Sequence, residues 1–214
     1  MTAVLSTIRR VRRALIRTQT QAHLLGQRHF GKTCFIHINK CGGTSVEKAL
    51  KLPLIHDTAV QRINKIGRAR WDKMLSFALV RHPYAKVVSH YKYRVKTRQS
   101  GLDQQPIDLE HWIIKAYGER DPLYYNNPLM FQPCLDWLVD ADNKMLVTRI
   151  LKLEDIDTEW KPFCEEAFGR YIPLPHRNAT HSATSHPSNH LGTEAKSVLQ
   201  AHFAKDFEYF GYAP

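Results

Sequence analysis

Apolar positions along the chain change period several times, and each change marks an element. "TCFIHI", 33–38, is a short apolar run that ends at a glycine-rich turn, the pattern of a buried strand. Val46, Ala49 and Leu50 follow at helical spacing, so a helix is predicted from Thr44, with Thr44 and Glu47 in the form of a capping box. "MLSFALV", 74–80, predicts a second buried strand. Pro83 then opens a helix along which Tyr84, Val87, Val88, Tyr91 and Val95 form an apolar stripe. Further on, "LEHWIIKAY" and "FQPCLDWLV" read as helices, "MLVTRILKL" (145–153) as a third strand and "KPFCEEAF" as a helix. "HRNATHSATSHPSN" reads as a polar loop and "EAKSVLQAHFAKDFEYF" as a closing helix.

Strands that alternate with helices predict an α/β domain around a mostly parallel sheet, in which ligands bind at the carboxyl ends of the strands. Ahead of this domain, Val4, Ile8, Val11 and Leu15 repeat at helical spacing, with Arg9, Arg10, Arg12, Arg13 and Arg17 mostly off that stripe. Residues 1–30 are therefore read as a basic amphipathic arm and 31–214 as the catalytic or binding domain. Such an arm suits packing on the body, an anionic membrane surface, an acidic partner or a transit peptide.

Charge sharpens this division. The chain of 214 residues has a net charge of +11, but its first 46 residues hold eight Lys or Arg and no acid. The remainder is close to neutral, which argues against nucleic acid as the partner of the body. Cys34, Cys41, Cys134 and Cys164 show neither C-x-x-C pairing nor metal-ligand spacing, and the 12 histidines form no paired zinc pattern.

The candidate chemistry lies at the two strand ends. "GQRHFGKT", Gly26 to Thr33, fits the letters of a Walker A motif, but the element order is reversed: a helical arm precedes it and a strand follows. "INKCGGTSVEKAL" has the required order. Its strand ends near Ile38, Lys40 supplies a cation, and Gly42 and Gly43 permit close backbone approach. Thr44 and Ser45 open a helix whose unpaired amides attract an anion. In "FALVRHPYAKVVSHYKYR", Arg81 ends the second strand and Ser89 lies two helical turns beyond Pro83, a fork and a hydroxyl suited to a terminal phosphate.

Together these two segments resemble the sulfotransferases that use 3′-phosphoadenosine 5′-phosphosulfate, in particular their carbohydrate-type branch. That branch reads roughly F-[IV]-H-[IV]-P-K-[TC]-G-G-T-S in one loop and F-x-[FL]-V-R-[ND]-P-[YW]-x-R-x-x-S-x-Y in the other. "LPHRNAT" and "KDFEYFGY" add to the likeness, which runs from about residue 33 to 212. It implies a three-layer α/β/α fold related to nucleotide kinases. It also implies in-line transfer of a sulfuryl group to a hydroxyl or amine of a carbohydrate-like acceptor, with 3′-phosphoadenosine 5′-phosphate as the product.

By this resemblance Lys40 contacts the sulfuryl and bridging oxygens, and the Cys41–Ser45 loop, with Gly42, Gly43 and Thr44, cradles the 5′-phosphate. Arg81 and Ser89 hold the 3′-phosphate, and Arg177 closes over the nucleotide. No metal is required. His56 in "LPLIHDTAVQRI" is the favoured base, with Asp57 and Glu47 as alternatives. The aromatic loop "LYYNNP" and the stretch "YKYRVKTR" are candidates for the acceptor cleft. The sequence departs from the family pattern at Asn39 for proline, Cys41 for threonine, His82 for asparagine or aspartate, and Lys86 for arginine. These changes predict a looser loop and a thiol at Cys41 poised to react.

Relatives with a Golgi anchor differ from this chain, so the expectation is a cytoplasmic bacterial enzyme whose arm can rest on the inner membrane. Two other readings compete: a kinase-like phosphoryl transferase on a related fold, and a non-enzymatic nucleic-acid or membrane-binding module built on the arm.

Overall fold

The computed structural model describes residues 2–102, 104–175 and 191–214. It is an α/β protein with a small parallel sheet of three strands, β1 (Thr33–Ile36), β2 (Leu75–Val80) and β3 (Arg149–Lys152), in the order β1-β2-β3. Thr33 pairs with Leu75 through to Ile36 with Ala78, and Phe77 pairs with Arg149 through to Val80 with Lys152. β2 is central and is buried at all but its first residue, as its mostly apolar sequence requires; the one polar residue, Ser76, bonds Thr148. Because the strands run in one direction, their following loops all emerge at the same edge.

The N-terminal helix α1 (Thr2–His29) leads into β1. Between β1 and β2 lie α2 (Gly43–Leu50), α3 (Ala59–Ile66) and the single turn α4 (Arg68–Trp71). α5 (Pro83–Lys96) leaves β2, and α6 (Leu109–Ile113) continues into one π turn, Ile114–Gly118. α7 (Ile156–Phe168) follows β3, and α8 (Thr193–His202) and α9 (Ala204–Phe210) close the chain. One buried cluster surrounds the sheet. A second, with Tyr84, Trp112, Phe131 and Phe203 at its centre, joins α5, α6 and α8.

Several elements differ from expectation for physical reasons. "FQPCLDWLV" forms only short 3₁₀ turns, Pro128–Phe131 and Leu135–Trp137, because Pro133 disfavours helix at Gln132. The third strand is four residues long, with Met145 upstream in an isolated antiparallel bridge to Val139. The closing helix breaks at Phe203. This break turns Asp206 inward to accept from the amides of Cys134 (2.7 Å) and Leu135 (2.9 Å). Along α5 the buried face includes Lys86, His90 and Arg94 alongside Tyr84 and Val87, whereas Val95 is exposed. Tertiary hydrogen bonds thus override the simple apolar stripe. Helices α3 and α4 are additions that the sequence reading did not include.

Candidate functional site

The carboxyl edge of the sheet gathers three loops. Lys40, four residues beyond β1, adopts left-handed backbone (φ 64°), and its carbonyl accepts from Arg81 Nη1 at 3.3 Å. For a lysine this conformation costs about 1–2 kcal/mol. It brings the loop after β1 against the residue that follows β2, so the two segments singled out in sequence meet.

Gly42 continues the turn with φ 82°, and a Cβ there would lie 2.6 Å from Leu153 Cδ1, the first residue past β3. Gly43 opens α2 in ordinary helical backbone, and a Cβ on it would collide with the imidazole carbon Cδ2 of His37. The two glycines therefore serve close packing. The capping box expected at Thr44 and Glu47 is not formed: Gly42 is the N-cap and no side chain caps the helix. Glu47 is instead buried and accepts from His37 Nδ1 at 2.6 Å. Ser45 N bonds Gly42 O (3.0 Å), leaving the amides of Gly43 and Thr44 without intrahelical acceptors.

Lys40 is half-buried, with Nζ 4.1 Å above the ring of Tyr93 on α5. Burial lowers its pKa, and the cations Arg81 and Lys96 lower it further. Among the described residues no carboxylate forms an ion pair with it. Ser89, Tyr93 and Lys96 are spaced i, i+4, i+7 on α5, so all three lie on the face that meets Lys40. Tyr93 and Lys96 belong to "YKYRVKTR", the stretch named from sequence as a candidate for the acceptor cleft, and the structure sets Tyr93 against Lys40. In the same stretch Arg94 turns inward to Ser100 Oγ (2.5 Å) and Asn126 Oδ1 (2.8 Å). Asn126 of "LYYNNP" is thereby engaged, and Tyr125 packs on Phe131 at 4.7 Å, which gives that loop a structural role.

The departures at 39, 41, 82 and 86 each acquire a place. Asn39 Nδ2 donates to Met130 O at 2.8 Å, so the loop is tethered rather than loosened. Cys41 is fully buried with its Sγ 3.7 Å from Cys134 Sγ, which takes the thiol away from the loop surface and from any reagent there. His82 donates its amide to Glu154 Oε1 (2.8 Å) and its Nε2–H to Ala213 O (3.0 Å). Lys86 is buried and donates to Gln132 O at 2.6 Å, a bolt between α5 and the 3₁₀ turns.

His56 packs its ring 4.5 Å from that of His37, and its Nδ1 lies 3.1 Å from the His37 carbonyl. A carbonyl can only accept, so Nδ1 carries the proton and Nε2 presents a lone pair. Burial lowers the His56 pKa, and neighbouring His37 lowers it further, which favours the neutral ring. Asp57 faces elsewhere: its two oxygens take Arg62 Nε (3.2 Å) and Lys65 Nζ (2.6 Å). Arg177 lies outside the described residues. At Gly26–Thr33 the order is helix, turn, strand, the reverse of a phosphate-binding loop.

Compared with known proteins, the chain matches no family model, no curated protein and no solved structure.

Proposed function

We propose that the chain is a sulfotransferase on a fold of the nucleotide-kinase type. In this reading it takes the sulfuryl group of 3′-phosphoadenosine 5′-phosphosulfate to a hydroxyl or amine of a carbohydrate-like acceptor. The observation that carries this reading is the contact of Arg81 with the Lys40 carbonyl at the carboxyl ends of adjacent parallel strands. It joins the two segments that the resemblance assigns to the two phosphate ends of one nucleotide. Support also comes from Lys40 itself, a half-buried cation with cationic neighbours, which an anion would relieve.

In this reading the 5′-phosphosulfate lies against Lys40 and the amides of Gly43 and Thr44, and the 3′-phosphate against Arg81 and Ser89. The acceptor oxygen bonds to sulfur as the bond from sulfur to the phosphate oxygen breaks. Lys40 stabilises the charge that develops on the leaving phosphate. His56 Nε2, the free lone pair of a neutral ring, takes the acceptor's proton.

Calorimetric titration with 3′-phosphoadenosine 5′-phosphate, ATP and ADP tests the proposal. The 3′-phosphorylated nucleotide should bind far more tightly than the other two. Arg81→Ala should weaken it by roughly 10- to 150-fold, the loss of one charge-assisted contact of about 1.5–3 kcal/mol. Preference for ATP, or equal affinity for all three, would sink the reading.

A further inference from the structure

Val11 and Leu15, on the apolar stripe of α1, face away from the body. Among the helix residues whose burial is described, Thr20, His23, Leu24 and Gln27, at i, i+3, i+4 and i+7, are the ones that are half-buried or buried. They anchor its C-terminal end: Arg62 Nη1 donates to Gln27 Oε1 (3.0 Å) and Arg70 Nε to Gln27 O (3.2 Å). Val11, Leu15 and Leu25 lie on nearly the opposite face and are 54%, 59% and 57% exposed. Every residue from 6 to 19 whose burial is described is exposed. At Val11 and Leu15, therefore, the stripe does not pack onto the body as one of the expectations from sequence had it.

An apolar stripe left in water on a helix about 42 Å long calls for an occupant. Charge selects among the possibilities. α1 contains no Asp or Glu, while exposed Arg10, Arg12 and Arg17 flank the stripe. A second copy of the same helix would bring arginines together with no acid to pair them. A nucleic acid backbone would satisfy the arginines and leave Val11 and Leu15 in water. An anionic lipid surface satisfies both, because acyl chains take the apolar edge and phosphate headgroups take the guanidinium groups. Among the described residues no helix is long and apolar enough to cross a membrane, so the helix would lie in the interface.

We propose that α1 is a peripheral membrane-binding helix that seats Val11, Leu15 and Leu25 in the headgroup region of an anionic bilayer, leaving its anchored end on the body. This proposal rests on α1 alone and is independent of the nucleotide reading.

Co-sedimentation of the full chain with vesicles tests it, comparing phosphatidylcholine containing phosphatidylglycerol with phosphatidylcholine alone. Binding should favour the anionic vesicles and weaken with salt. Arg10→Gln/Arg12→Gln/Arg17→Gln should lower the partition coefficient by on the order of a hundredfold, about fivefold per arginine. Val11→Gln/Leu15→Gln should lower it by at least about tenfold at unchanged charge. These positions are exposed, so both variants should keep the thermal midpoint of the parent. Absence of vesicle binding would overturn the proposal, as would binding indifferent to Val11→Gln/Leu15→Gln. Self-association in sedimentation velocity that the same pair abolishes would also overturn it, by showing that the stripe joins two copies.

Discussion

Replacing Gly43 with alanine puts the geometry beneath the candidate loop to a quantitative test. Gly43 is the first residue of α2 and lies in ordinary helical backbone, so by propensity alone alanine should stabilise by up to about 1 kcal/mol. Its Cβ would, however, collide with the imidazole of His37. That ring has little room to yield. Nδ1 is fixed to Glu47 at 2.6 Å, Phe35 stacks at 5.7 Å and His56 lies at 4.5 Å. Overpacking of this kind costs about 1–3 kcal/mol, and the pinned ring places this case at the upper end. The expected net loss is about 2 kcal/mol, a fall in Tm of roughly 4–8 °C for a chain of this size. Urea denaturation of a four-member cycle with His37→Ala isolates the cause. Once the ring is gone, Gly43→Ala should become neutral or stabilising, giving a coupling of about 2–3 kcal/mol. Additive effects within about 0.5 kcal/mol, or stabilisation by Gly43→Ala alone, would refute the close approach of helix and histidine.

Asp57→Ala should destabilise by about 3–5 kcal/mol, because Arg62, with 2% of its side chain exposed, would be left buried without a carboxylate to balance its charge. Nucleotide affinity of the folded protein should persist, and urea titration beside calorimetry separates that result from a role for Asp57 as base. The acid limb of kcat/KM should fall below the ordinary histidine range, since burial lowers the His56 pKa and keeps the ring neutral to lower pH. His56→Gln should remove that limb along with most of the turnover. Affinity for 3′-phosphoadenosine 5′-phosphate should decline with rising pH before the ordinary lysine value of 10.5 is reached. The sign follows because burial and Arg81 disfavour the Lys40 cation that the anion needs. Lys40→Arg should abolish that decline in calorimetry across the alkaline range.

Legibility from sequence tracked the range of the forces involved. β2 is central and β1 flanks it, and both are short, mostly apolar and buried, so burial alone fixes their type, and their ends carry the residues that converge at Lys40 and Arg81. α3 was equally local in origin, since Thr58 and Gln61 form a reciprocal capping box at 3.2 and 2.9 Å, and T-x-x-Q was there to be read. Thr44 and Glu47 offered the same pattern, but the outcome was decided by a partner ten residues away. His37 captures Glu47, and the helix start passes to a glycine that no local rule would rank above threonine. The inward turn of Lys86, His90 and Arg94 was hidden for the same reason. Each polar group is buried where its partners stand far off in sequence, as with Gln132 for Lys86 and Asn126 for Arg94. α1 is the converse case. Its periodicity reads as amphipathic, yet periodicity states only that one face is apolar and cannot say toward what it turns. That direction is set at Gln27 by Arg62 and Arg70, which hold the C-terminal end of the helix against the body and leave Val11, Leu15 and Leu25 exposed.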